Sequence, residues 1–274
     1  MKESIIILLL FLVLVSCKKE EFTIENLNGN KITALGHAGM GIGNTYPMNS
    51  FESVLKCLNL GMDGSELDVQ LTKDRVLVAF HDQDLSEKTN LKGLINSLNW
   101  SELKDAVYTQ TLYLNYSVVS LEDLFSHIQN RQKYKFTFDC KLYNANTDKG
   151  QFYESYISAL VKLIEKYQLE NNVYIESMDK DFLDRLGNRR PDYKLFIYPE
   201  SFETGLNTAL ESGLTGITIS VHDISAEQIK TAHQNNLLIA VWNVHTESDN
   251  IDAINKNPDF IQTDKVENLI KLLK

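Results

Sequence analysis

A closed (β/α)8 barrel is predicted for most of this 274-residue chain, and three observations carry the prediction. From Lys31 onward, eight short β-rich runs alternate with helical segments, the pattern of a parallel sheet with crossover helices. Polar and charged residues collect at the C-terminal end of nearly every run, where a parallel barrel builds its site. A chain that is 43% hydrophobic and 23% charged buries enough core for one large α/β domain.

The fold is expected to begin after a leader. Lys2 precedes an apolar run from Ile5 to Val15, too short to span a bilayer and the right length for a signal peptide. The run ends in Leu14-Val15-Ser16-Cys17, which looks like a bacterial lipobox, whose cysteine becomes a lipid-modified N-terminus. Residues 1–16 are therefore expected to be a signal peptide, and 17–30 the lipidated Cys17 and its tether. Several acyl chains on Cys17 make a stable membrane anchor. The expected location is the bacterial cell envelope, at the outer membrane, facing the periplasm or the surface. Lys19-Glu20-Glu21 resembles the surface-export signal of some Gram-negative lipoproteins. Cys57 and Cys140 sit in an apolar helical pattern and on a strand, and are expected to be free, buried thiols. A net charge of −10 argues against a nucleic-acid partner and against a polybasic membrane patch.

The expected barrel strands are Ile32–Gly36, Gly64–Asp68, Lys135–Lys141, Asn172–Ser177, Lys194–Tyr198, Gly216–Ser220, Leu237–Asn243 and Asp259–Thr263. Helices are expected at Asn49–Leu60, Leu121–Asn130, Phe152–Tyr167, Lys180–Leu186, Ser201–Ser212, Ala226–Asn235 and Glu247–Asn255. Asn49 or Ser50, Ser120 with Asp123, and Ser225 with Gln228 read as N-caps. No linker divides residues 31–274, so one domain is expected. Residues 83–119 break the alternation as an insertion carrying Trp100, Tyr108, Tyr113 and Tyr116. Such a segment either shapes a pocket or packs as a satellite core.

The most informative stretch runs from Gly64 to Asp82. Residues two apart on a strand share a face, which puts Glu66 and Asp68 together. A hairpin folded at Lys73–Asp74 returns His81 roughly opposite Asp68. Two carboxylates and an imidazole at one strand end suit a hard divalent cation with an acid/base group beside it. Other strand ends supply His37, then Asp139 and Lys141, Glu176 and Ser177, and Tyr198 and Glu200. The last three supply His222, Trp242 with His245, and Thr263 with Asp264.

Over residues 31–274 the sequence resembles the glycerophosphodiester phosphodiesterase family. Gly36-His37-Ala38-Gly39 occupies the place of its His-Arg-Gly motif, and Pro47-Met48-Asn49-Ser50 that of Pro-Glu-Asn-Thr. The run Glu66 to Asp82 matches Glu-x-Asp-Val, Thr-x-Asp-Gly and His-Asp, with Arg75 in place of the glycine. Asp139-Cys140-Lys141 matches Glu-x-Lys, Trp242-Asn243-Val244-His245 matches Trp-Thr-Val-Asn, and Thr263-Asp264 matches Thr-Asp. The resemblance implies a divalent metal, Mg²⁺ or Ca²⁺, on Glu66, Asp68 and Asp139, with His37 and His81 as the acid/base pair. It implies a small-molecule phosphodiester substrate beside Lys141, with Trp242 lining the wall; where the family's arginine is missing, contacts to the alcohol moiety are expected from Trp242, His222 and the insertion. Three departures stand out: Ala38 for arginine, Met48 for glutamate, and Asp139 for glutamate. A guanidinium at position 38 is expected to face the phosphate, so its loss points to altered substrate preference. Two other readings stay open: a barrel that only binds a phosphate ester, and a lipid-directed phosphodiesterase of the phospholipase D toxin type.

Overall fold

The computed structural model describes residues 31–43, 45–110, 116–145 and 148–273. The expected signal peptide and tether, with Cys17, lie outside these residues, as does Tyr113. No helix among the described residues is long and apolar enough to cross a membrane.

Eight parallel strands form the barrel: β1 (Thr33–Gly36), β2 (Gly64–Leu71), β5 (Lys135–Cys140), β6 (Val173–Ser177), β7 (Lys194–Ile197), β8 (Gly216–Ser220), β9 (Leu238–Val244) and β10 (Phe260–Thr263). β1 pairs with β10 on one side and β2 on the other, so the ring has no open edge. Two further strands, β3 (Leu77–Ala79) and β4 (Val119–Ser120), extend β2 as an antiparallel flap. β2 runs three residues longer than expected because Val69, Gln70 and Leu71 pair with β3.

The outer ring holds α1 (Phe51–Leu60), α3 (Leu121–His127), α4 (Lys149–Tyr167), α5 (Lys180–Arg189), α6 (Phe202–Glu211), α7 (Ala226–Gln234), α8 (Glu247–Lys256) and α9 (Val266–Leu273). A single turn, α2 (Trp100–Leu103), lies in the insertion. Ser50, not Asn49, caps α1 by accepting from the Ser53 amide. Ser120 caps α3 and Ser225 forms a capping box with Gln228 on α7, both as the sequence indicates. The sequence reading omits α9, although its buried Val266, Leu269 and Leu273 carry a helical period.

Two apolar layers meet the barrel wall. Outside, strand residues such as Phe136 and Phe138 pack against helix residues such as Phe125 and Tyr156. The Phe125 ring stands edge-on to Phe136 at 4.9 Å. Inside, Leu35, Tyr174, Phe196, Ala240 and Phe260 form a separate cluster. Two residues further along the same strands come His37, Glu176, Trp242 and Gln262, facing the same way. An apolar floor therefore lies one layer beneath a polar mouth.

The insertion fulfils both readings. Leu85, Ile95, Leu103, Ala106 and Tyr108 pack with Val78 and Phe80 into a satellite core. Tyr108, Phe80 and Lys88 also reach the wall of the large cavity at the barrel mouth. Cys57 and Cys140 are free and buried, and burial pushes the Cys57 thiol up to about 12.

Because Phe125 joins α3 to two rings of β5 and to Tyr167 of α4, Phe125→Ala is expected to lower unfolding free energy by about 3–5 kcal/mol. Urea denaturation followed by circular dichroism measures this. A loss under about 1 kcal/mol is outside the range for a large buried ring and would remove Phe125 from the interlocking core.

Candidate active site

Every residue of β2 is buried, and alternation directs Glu66 and Asp68 to one side of the strand. β5 runs beside it with Asp139 in register with Asp68. Glu66, Asp68 and Asp139, all buried, thus offer oxygen atoms within 4.8 Å of one another. Lys141 is the counter-charge, its Nζ lying 3.1 Å from Asp68 Oδ1 and 2.5 Å from Asp139 Oδ2.

One ammonium does not balance this set. Burial first, and then the charges of Asp68, Asp139 and Glu176, push the Glu66 carboxyl well above its ordinary range. Burial likewise raises Asp139 against the pull of Lys141. At Asp68 burial is outweighed by Lys141, His81, His37 and an Asn49 hydrogen bond, and the carboxyl is lowered. Three close carboxylates short of positive charge, all oxygen donors, fit a hard divalent cation. Asn49, at φ +62°, clamps Asp68: its Nδ2 donates to Oδ2 at 2.7 Å and its Oδ1 accepts the Asp68 amide at 3.0 Å. The Ala38 amide donates to Glu66 Oε2 at 2.8 Å.

His81 arrives by the hairpin. Thr72 Oγ1 accepts the Val76 amide, and Arg75 takes a left-handed φ of +68°, the conformation that a glycine adopts without strain. Leu71 pairs with Leu77 across the connection, which sets Phe80 opposite Asp68, their amide and carbonyl 2.9 Å apart. His81 therefore lies one residue beyond the place the sequence suggested, past the paired ladder and free to turn into the cavity. Gln70 brackets it, donating to the Phe80 carbonyl at 2.8 Å and the Asp82 carbonyl at 2.9 Å. Asp82 Oδ1 lies 3.0 Å from His81 Nδ1, and that bond, helped by Asp68 against burial, raises the imidazole above its usual value.

His37 directly follows β1, and its Nδ1 lies 2.8 Å from Asp264 Oδ1. The same oxygen accepts the Ile42 amide at 3.0 Å, while Oδ2 meets His245 Nδ1 in a short contact. Burial opposes the charge on Asp264, but the bonds from His37, Ile42 and His245 hold its carboxyl below the usual range. Gly41, at φ +86°, permits this approach: a Cβ there falls 2.3 Å from the Asp264 Cα.

A cavity of about 590 Å³ gathers His37, His81, Glu66, Asp68, Asp139 and Lys141 on one wall system. Trp242 also lines it, 5.2 Å from the Tyr198 ring and roughly edge-on, and its indole Nε1 has no acceptor among the described residues. His222 does not line it. The chain leaves β8 through a one-turn 3₁₀ helix, Val221–Asp223, capped by Ser220, and this turn leaves His222 exposed outside the cavity wall. Ala38 is fully buried and does not line the cavity, whereas Met48 reaches it.

The sequence reading noted Glu176, His245 and Asp264 at strand ends without assigning them a role, and overlooked Gln70. Glu176 is pushed up to about 8 by burial and Asp139, while Thr218 and Gln262 donate to it. Gln70 continues the Glu66–Asp68 alternation, a readable signal. The pairing of Asp264 with His37 has none, since 227 positions separate them.

The Glycerophosphoryl diester phosphodiesterase family model matches residues 40–268 of this chain. A glycerophosphodiester phosphodiesterase of Caldanaerobacter subterraneus subsp. tengcongensis is 27% identical over 245 residues, covering 86% of this chain and 96% of that protein. One of Bacillus altitudinis is 25% identical, with the same coverage of 86% and 96%. Among solved structures, a phosphodiesterase of Oleispira antarctica in complex with the product sn-glycerol-3-phosphate superposes with a TM-score of 0.77. It is 17% identical, and the match covers 88% of this chain and 96% of that one, a likeness of fold.

Proposed function

The chain belongs to the glycerophosphoryl diester phosphodiesterase family, and on that premise we propose that it hydrolyses a glycerophosphodiester to glycerol 3-phosphate and an alcohol. The observation that carries the reading is the meeting of three carboxylates, one lysine and two histidines in one cavity. Glu66, Asp68 and Asp139 would hold a hard divalent cation, Mg²⁺ or Ca²⁺, which when bound neutralises charge on the phosphodiester. The ammonium of Lys141 adds a second positive charge on the same side.

The two histidines divide the proton work. Each presents Nδ1 to a carboxylate, His37 to Asp264 and His81 to Asp82. A carboxylate only accepts, so each Nδ1 carries the hydrogen and Nε2 is left for chemistry. His37 Nε2 takes the proton of the attacking water or hydroxyl. His81, whose proton affinity Asp82 and Asp68 raise against burial, gives its Nε2 proton to the alkoxide as the phosphorus–oxygen bond breaks. Trp242 and Tyr198 supply the wall against which the alcohol packs.

Full-length protein in detergent should release glycerol 3-phosphate from glycerophosphocholine or glycerophosphoethanolamine when Mg²⁺ or Ca²⁺ is added, and stop in excess chelator. Absence of product from these and from intact phospholipids would leave a binding barrel. Turnover of phospholipids alone would support the lipid-directed reading. His37→Ala and His81→Ala are each expected to cost about 10²–10⁴-fold in kcat while calorimetry finds metal binding intact.

The Asp82 bond also sets a pH limit. A general acid works while protonated, so activity falls as pH rises through the His81 value. Asp82→Asn replaces the charged acceptor with a neutral amide and so weakens the interaction that raises this value, and the alkaline limb of the kcat profile should move to lower pH. Asp68 and Lys141 still act on the ring in opposite senses. An unmoved limb would mean that His81 is not the acid.

We further propose that Cys17 is lipidated and tethers the barrel to the envelope, at the outer membrane. The support is the short apolar run ending at Ser16-Cys17. Fatty-acid labelling of bacteria should mark the native chain and spare Cys17→Ala; equal labelling would end the proposal.

A further inference from the structure

Asp264 sits between two imidazoles. Its Oδ1 faces His37 Nδ1 at 2.8 Å and the Ile42 amide at 3.0 Å, and its Oδ2 faces His245 Nδ1. With His245 in place the Asp264 side chain is 3% exposed, so both of its oxygens are committed to protein donors. His245 belongs to the cavity wall, but its Nδ1 is turned to the carboxylate. Its backbone is fixed as well: the His245 amide donates to Asp249 Oδ2 at 3.0 Å at the start of α8.

We infer that His245 is a positioning residue for the reaction, holding Asp264 Oδ2 so that Oδ1 stays aimed at His37 Nδ1 and His37 Nε2 stays bare toward the cavity. The inference rests on the assignment of His37 as base. A carboxylate with one oxygen doubly bonded and the other unpaired can rotate to share its donors differently. The His245 bond closes that option, and with it the other tautomer of His37, whose Nε2–H cannot accept a proton. His245 thus acts on the reaction through Asp264 and His37.

The test uses full-length protein labelled with ¹⁵N-histidine, in which long-range proton–nitrogen spectra read the tautomer of each ring. Native His37 is expected as the Nδ1–H form. His245→Ala should give a mixture of His37 tautomers and about a tenfold fall in kcat, with KM and metal affinity unchanged. His245→Asn places an amide donor close to the former Nδ1 and should restore both the single tautomer and most of the rate. In an Asp264→Asn background, His245→Ala should have no further effect on kcat. A native His37 tautomer in His245→Ala with kcat reduced, a change confined to KM, or additive effects in the double variant would each overturn the inference. Should the wild type hydrolyse no phosphodiester, the spectra of the three proteins still decide whether His245 fixes His37.

Discussion

Repulsion among Glu66, Asp68 and Asp139 is the constraint that the rest of the site answers to. Three buried carboxylates with oxygens within 4.8 Å of one another are costly to hold together. The fold offsets part of the cost with the Lys141 ion pairs, the Asn49 clamp and the Ala38 amide. What remains shows as carboxyls raised at Glu66 and Asp139. A barrel tolerates this because its strands are pinned on both sides, and because the apolar floor bears packing that the polar layer does not. A charge cluster retained at such expense is better explained by a cation and an anionic substrate than by stability.

The proton-transfer groups follow a different logic. His37 and His81 come from unrelated elements, a barrel strand and an antiparallel flap, yet each has its Nδ1 against a carboxylate. The two carboxylates differ in setting. Asp264 is buried and shared with His245, which makes the His37 side rigid. Asp82 is the next residue in the chain, and the His81 side chain is 49% exposed. A rigid base and a more open acid suit a reaction in which the alcohol must leave past one of them.

The insertion explains how a pocket wall can belong to a loop without being loose. Its satellite core is built on Val78 and Phe80 of the flap that delivers His81. The Tyr108 hydroxyl donates to the Met48 carbonyl at 3.2 Å, tying the insertion to the segment before α1. Changes in the insertion therefore reach both the cavity shape and the placement of one histidine.

The barrel was legible because strand and helix periods are local, and they give all eight barrel strands and seven of the eight outer helices, the short α9 being passed over although it carries the period too. Glu66, Asp68, Asp139 and Lys141 were legible for the same reason: spacing of two on a parallel strand dictates a shared face, whatever lies elsewhere. His81 was legible only to within one residue, since the turn, not the strand, sets the register. His222 misled because a strand end fixes where a residue starts but not which way the next turn carries it. His245 meets Asp264 because β9 and β10 are neighbours in the chain and in the sheet, but the meeting of Asp264 with His37 was decided by closure of the barrel alone. β1 and β10 become neighbours only when the first and last strands pair, and no pattern along the chain records which side chains that meeting brings together.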